Sequence, residues 1–235
     1  MKISIFLILF CSLFGTYSSA SDCVVLLHGM ARSEHSLSKM EQKLSDQGYY
    51  VVNESYPSTK HDIETLAEDI IPTSIALCPD STQIHFVTHS LGGILIRQYL
   101  SDHSLSNLGR VVMLAPPNNG SEITDELKDN FLYKAVNGPA GLQLGTDSSS
   151  APNQLGPPNF EVGIIAGTKT VNPILSQMLP NPDDGKVSVE STKLEGMSDH
   201  IEVAYSHTFI MNKDDVIDQV IHFLEHASFE RPDSL

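Results

Sequence analysis

Residues able to do chemistry fall in one order along this chain: Ser90, then Asp184, then His207. A Ser hydroxyl is a poor nucleophile near neutral pH. It needs a general base to take its proton and a third group to orient that base. Ser90 stands in Thr88-His89-Ser90-Leu91-Gly92-Gly93, directly after the apolar run Ile84 to Val87 and before a helix-compatible stretch, Ile94 to Leu100. Strand, tight turn and helix in that order make a nucleophile elbow, a G-x-S-x-G pattern in which Thr88 occupies the first small position. Asp184 sits in the turn Asn181-Pro182-Asp183-Asp184-Gly185, with Asp183 as its immediate rival. It is favoured because Gly185 lets the turn bend and Val187 and Val189 then resume an alternating strand. For the base, His207 follows the last strand and precedes the C-terminal helix, while His200 competes from beside Asp199. Negative charge on a carbonyl oxygen under attack needs preformed donors. The backbone N–H groups of Leu91 and Met30 are placed to supply them.

The elements that must hold these groups alternate. Apolar runs at Cys23–Leu27, Tyr49–Val52, the elbow strand, Val111–Ala115 and Glu161–Thr168 read as strands, joined by Asp199–Tyr205. Between them, Leu37, Met40 and Leu44 recur at helical spacing with Gly48 as a cap, and Ile63, Leu66, Ala67 and Ile70 mark a helix that Pro72 ends or bends. Asn212 is read as the cap of a last helix with a Val216, Ile217, Val220, Ile221, Leu224 stripe. The pattern predicts an α/β chain with a mainly parallel central sheet and helices on both faces. Residues 118–159 break the alternation, with helical material from Ile123 to Val136 closed by Gly138-Pro139. This stretch is either a small lid-like excursion facing substrate or a surface loop packed on the body.

Lys2, the apolar run to Phe14 and Ser18-Ser19-Ala20 lay out a secretory signal peptide over residues 1–20, leaving 21–235 as a single domain. The alternative is an uncleaved anchor. Export to the periplasm or the exterior follows, without stable membrane insertion once the signal is removed. Loss of Lys2 takes the formal charge from −15 to −16, which argues against nucleic-acid partners. Cys23 and Cys78 survive cleavage at the same end of the sheet, opposite Ser90. They are read as a disulfide, against two free thiols.

Other constellations are weaker. His85/His89 and His222/His226 are four apart, but the first pair is read as not sharing a face and the second, helical pair has no acidic or Cys partner within a metal-binding pattern, so no metal is expected. His28 is read as a packed residue at the donor turn, and Arg32 as holding that turn or meeting an anionic substrate group.

In register, His28-Gly29-Met30, the elbow, Pro117-Asn118-Asn119-Gly120-Ser121, Asp184-Gly185-Lys186-Val187 and Ser206-His207 resemble the α/β-hydrolase superfamily, specifically its bacterial lipase/esterase-like members. The resemblance implies hydrolysis of small-molecule or lipid carboxylic esters through an acyl-enzyme, without a cofactor. Acyl transfer or amide cleavage by the same triad, or a non-catalytic lipid-binding role, are the alternatives. Thr88 is the departure from the pattern.

Overall fold

The computed structural model describes residues 21–80 and 83–231, so the proposed signal peptide at 1–20 lies outside the described residues. Six strands, β1 (Cys23–Leu27), β2 (Tyr50–Val52), β3 (Ile84–His89), β4 (Leu108–Leu114), β5 (Val162–Gly167) and β6 (Asp199–Val203), form one sheet in the order β2-β1-β3-β4-β5-β6. Every pairing is parallel. A parallel sheet covered on both faces needs apolar side chains at every position of its strands, because successive residues point to opposite sides. That is what β1 supplies. Val25 and Leu27 enter a core with Ile63 and Leu66 of α2 (Ile63–Leu77) and Ile94 and Leu95 of α3 (Leu91–Asp102). Val24 and Leu26 enter the opposite core with Met40 and Leu44 of α1 (Ser38–Asp46) and Val216, Val220 and Phe223 of α9 (Asp214–His226).

The chain between β4 and β5 carries α4 (Glu122–Leu127), α5 (Phe131–Leu142) and α6 (Ala151–Gln154). After β5 come α7 (Pro173–Ser176) and α8 (Val189–Thr192). Strand order reverses between β1 and β3, which creates a crevice beyond their carboxyl ends, the usual ligand position in open α/β sheets. At the opposite end a disulfide joins Cys23 to Cys78, with Cα atoms 5.9 Å apart, and fastens the end of α2 to the start of β1.

Several local expectations are corrected. Pro72 neither ends nor stops α2, which runs on to Leu77. Ile71 and Ser74 are buried there, and their packing outweighs one missing backbone bond. Val187 and Val189 do not resume a strand. Only a single bridge, Asp183 to Ser188, forms, and the Ser188 hydroxyl then accepts the Ser191 N–H to start α8. The stretch from Ile123 to Val136 is two helices, because Asn130 caps the second through the Leu132 and Tyr133 amides. Gly138, at φ 63° and ψ −168°, interrupts the helical backbone within α5, where the sequence places the end of this helical material. Asn212 lies in a short turn, and α9 starts at Asp214 with no side-chain cap. His85 and His89 both belong to β3, so strand alternation does put them on one face. Four residues at roughly 3.3 Å each still hold them too far apart for one ion.

Candidate active site

The elbow follows from what its residues permit. Ser90 has φ 54° and ψ −119°, a conformation L-residues avoid, and it is held because strand and helix leave the turn no alternative. Its N–H donates to the Leu114 carbonyl at 2.9 Å, so β4 fixes the turn from one side. On the other side α3 lies against β1, and a Cβ at Gly92 would stand 2.5 Å from the Leu27 carbonyl oxygen. Thr88 is fully buried in β3, and its hydroxyl has no hydrogen-bond partner among the described residues. Room for it comes from Gly93, where a Cβ would lie 3.3 Å from Thr88 Oγ1 and 3.1 Å from Pro116 Cβ.

Three of the expected residues meet. His207 Nε2 lies 3.0 Å from Ser90 Oγ, and His207 Nδ1 lies 2.8 Å from Asp184 Oδ2. Asp184 and His207 are both buried. The remaining carboxylate oxygen of Asp184 accepts the Lys186 and Val187 amides at 2.9 and 2.8 Å, which fixes its orientation. The two loops are also joined through their backbones, as the His207 N–H donates to the Asp184 carbonyl at 3.0 Å. With the Nδ1 proton directed at Asp184, Nε2 is left to accept the Ser90 hydroxyl proton.

The competitors are elsewhere engaged. Asp183 accepts the Gly185 amide at 2.7 Å and the Ser176 hydroxyl at 2.6 Å, both bonds shaping its own turn. His200, in β6, contacts Thr192 Oγ1 at 3.1 Å and has no bond to Ser90. The Met30 and Leu91 amides have no acceptor among the described residues, and both residues lie at the carboxyl-end crevice after β1 and β3. His28 is fully buried, stacks on Tyr56 at 3.9 Å between centroids, and accepts the Tyr56 N–H at 3.2 Å; the Tyr56 hydroxyl donates to the His28 carbonyl. This locks the turn that carries Met30.

Two supporting residues escaped the sequence reading. His89 Nε2 donates to the His207 carbonyl at 3.0 Å, and the two rings lie 4.8 Å apart. Burial first, then His207, hold its pKa well below the ordinary histidine range, so it stays neutral and acts as a backbone anchor for the His207 loop. Arg97 is buried and donates to the Asn118 backbone and side-chain oxygens and to the Pro152 and Gly156 carbonyls at 3.0 to 3.1 Å. Desolvation lowers its pKa to about 10. The only advance signal for either was a polar residue inside an otherwise apolar segment.

Beside Ser90 opens a cavity of about 240 Å³, lined by Ile123, Leu127, Tyr133, Val136, Leu144 and Val187 together with Met30 and His207. The excursion at 118–159 both lines this cavity and packs on the body. Arg97 and the Ala140 N–H to His61 carbonyl bond fasten it to the body, while α4 and α5 roof the cavity. A larger hollow of about 650 Å³, lined by Glu64, Gln98, Asp102 and Gln143, is polar and contains none of these groups.

Residues 17–117 match the family described as "Putative serine esterase (DUF676)". The mature Bacillus licheniformis lipase BlEst2 superposes with a TM-score of 0.68 at 18% identity, over 87% of this chain and 92% of that one. Phospholipase PlaB from Legionella pneumophila gives 0.68 at 16% identity, over 89% of this chain and 60% of that one. The metagenomic carboxyl esterase MGS0156 gives 0.61 at 19%, over 82% and 66%. The chain has the α/β-hydrolase fold. Within that fold the candidate groups all follow strands in the chain, Met30 after β1, Ser90 after β3, Asp184 after β5 and α7, and His207 after β6.

Proposed function

We propose that residues 21–235 form one exported domain that hydrolyses carboxylic esters of apolar acyl groups through an acyl-enzyme. The observation that carries this reading is the hydrogen-bonded chain Ser90–His207–Asp184, with contacts of 3.0 and 2.8 Å, opening onto an apolar cavity. In the proposed reaction Ser90 Oγ attacks the ester carbonyl while His207 Nε2 takes its proton. Asp184 holds the imidazole in the required tautomer and stabilises the imidazolium. The Met30 and Leu91 amides receive the developing oxyanion, each donor contributing around 3 kcal/mol of transition-state stabilisation. Collapse expels the alcohol, which leaves with the proton from Nε2. Water, deprotonated by the same nitrogen, then releases the acid and restores Ser90.

The apolar acyl preference is supported by the cavity wall and by Phe131 and Leu132, which stand 75% and 63% exposed on the helix that roofs it. Export is supported by the Cys23–Cys78 bond, since disulfides persist mainly in oxidising compartments. No helix among the described residues is long and apolar enough to cross a membrane. Ser90→Ala is expected to lose p-nitrophenyl butyrate turnover while its unfolding transition is retained. Full turnover in that variant sinks the mechanism.

A further inference from the structure

The cavity beside Ser90 has two chemically different sides. Ile123, Leu127, Leu144 and Val187 make it apolar, yet Arg32 and Lys186 also line it, and no Asp or Glu does. In a chain with 29 acidic residues against 14 Lys and Arg, two cations beside one carboxylate-free cavity run against the general balance. Several basic side chains elsewhere are paired, Lys39 with Asp214 at 2.9 Å, Arg110 with Glu161 at 3.1 Å and Lys193 with Glu190 at 2.7 Å, and the others without an ion pair do not line this cavity. Among the described residues, Arg32 and Lys186 have no carboxylate within ion-pair distance.

Their position is a consequence of the fold. Arg32 lies two residues beyond Met30 on the loop after β1, and Lys186 two residues beyond Asp184 on the loop after β5. In the sheet β1 lies on one side of β3 and β5 beyond the other, so the two arms reach the cavity from opposite flanks of Ser90. Asp184 does not supply the missing counter-charge. One of its oxygens holds the Lys186 and Val187 amides and the other faces His207. Loss of hydration first, then Arg32, hold the Lys186 ammonium below its usual range, with Asp184 pulling the other way.

We propose that Arg32 and Lys186 form an anion subsite, and that the ester cleaved at Ser90 carries a phosphate or carboxylate on its alcohol part while its acyl part lies along the apolar wall. The inference rests on the serine-hydrolase reading above. An Arg fork suits the paired oxygens of either anion, and a Lys adds a compact second charge.

The test compares kcat/KM within matched soluble pairs, each differing by one anionic group. One pair is p-nitrophenyl butyrate and its 3-carboxy-4-nitrophenyl analogue; the other is monobutyrylglycerol and monobutyrylglycerol phosphate. The two pairs separate carboxylate from phosphate recognition. Arg32→Gln and Lys186→Gln are each expected to lower the anionic-to-neutral ratio about ten-fold in at least one pair, the low end for losing a charge-assisted bond. Arg32→Glu combined with Lys186→Glu is expected to shift preference towards a cationic ester such as butyrylcholine, a gain that misfolding cannot imitate. Ratios unchanged within about two-fold in both pairs overturn the proposal. So does a charge effect seen only when neutral ester is presented on anionic phosphatidylglycerol vesicles, which would mean surface recruitment. Ester turnover that survives Ser90→Ala defeats the underlying hydrolase reading instead, and is scored separately.

Discussion

Replacing Asp184 with Asn probes the proposed acid–base pair more sharply than removing Ser90, because shape is preserved while the tautomer preference is reversed. One Asp184 oxygen accepts two loop amides at 2.9 and 2.8 Å; the other faces His207 Nδ1 at 2.8 Å. An Asn amide oxygen keeps the loop bonds, which leaves its NH2 aimed at Nδ1. A donor there makes Nδ1 the acceptor, moves the imidazole proton to Nε2, and removes the lone pair that Ser90 Oγ needs at 3.0 Å. Loss of this tautomer control in a Ser–His–Asp site costs about 10⁴-fold in kcat, equivalent to roughly 5 kcal/mol of barrier. Because the loop bonds persist, the stability cost is confined to one charge-assisted bond, about 1.5–3 kcal/mol. Asp183→Asn is the control. Its carboxylate holds only the Gly185 amide and the Ser176 hydroxyl, so stability falls but kcat stays within a few-fold of wild type. The assay is p-nitrophenyl butyrate hydrolysis from pH 6 to 9, with a thermal melt of each variant. An Asp184→Asn enzyme within about ten-fold of wild type, or an Asp183→Asn enzyme equally impaired, refutes the assignment.

Three further outcomes follow from other parts of the molecule. Ser90→Gly is expected to abolish ester turnover yet raise the melting temperature by about 2–4 °C, because glycine accepts φ 54° without the cost Ser bears there; an unchanged or lower melt would show the elbow is unstrained. Cys23→Ser with Cys78→Ser is expected to lower stability by about 4 kcal/mol, from the 55-residue separation of the bridged positions; coincident denaturation curves would contradict this. Stability is also expected to fall as pH drops below about 6.5. Burial depresses the pKa values of His28, His85, His89 and His200, so the unfolded chain takes up protons that the folded one refuses, until the lowered folded values are reached. Each such group contributes a slope of up to about 1.4 kcal/mol per pH unit, and His89→Gln should flatten the profile; a pH-independent melt between 7 and 5.5 would count against it.

Much of the architecture was legible because each signal was local. A strand buried on both faces needs a continuous apolar run, and Cys23–Leu27 and Val111–Leu114 are such runs. Ser90 and His207 could be proposed because each stands in the loop just after a strand, Asp184 because it stands in a strong turn signal, and because the three occur in the order expected for the fold. The failures share a different cause. Pro72 is tolerated because Ile71 and Ser74 are buried on either side of it, which no reading of residue 72 alone reveals. Val187-Ser188-Val189 alternates like a strand, but it makes only the isolated bridge of Ser188 to Asp183, and the Ser188 hydroxyl starts a helix instead. Arg97 and His89 were missed because their partners are the backbone carbonyls of residues 59 and 118 positions away, and carbonyls leave no mark in a sequence.

Thr88 shows how such a distant compensation can still be adjacent in the chain. Read as the first position of an elbow, a β-branched residue there threatens the close passage of β3 and α3. In the structure the crowding is relieved from Gly93, five residues on, where the helix presents no Cβ to the Thr88 hydroxyl. Gly92 and Gly93 therefore make different concessions, the first to the Leu27 carbonyl of β1 and the second to Thr88 and Pro116. The pattern is not a small residue on each side of the nucleophile but a fixed volume between strand and helix, divisible between either partner. It follows that Gly93→Ala should be less harmful in a Thr88→Ala background than alone, since the 3.3 Å contact to Thr88 Oγ1 is then absent while those to Pro116 and Met113 remain. A double-mutant cycle on melting temperature measures that coupling. Additive effects would mean that Gly93 answers to Pro116 and Met113 rather than to Thr88.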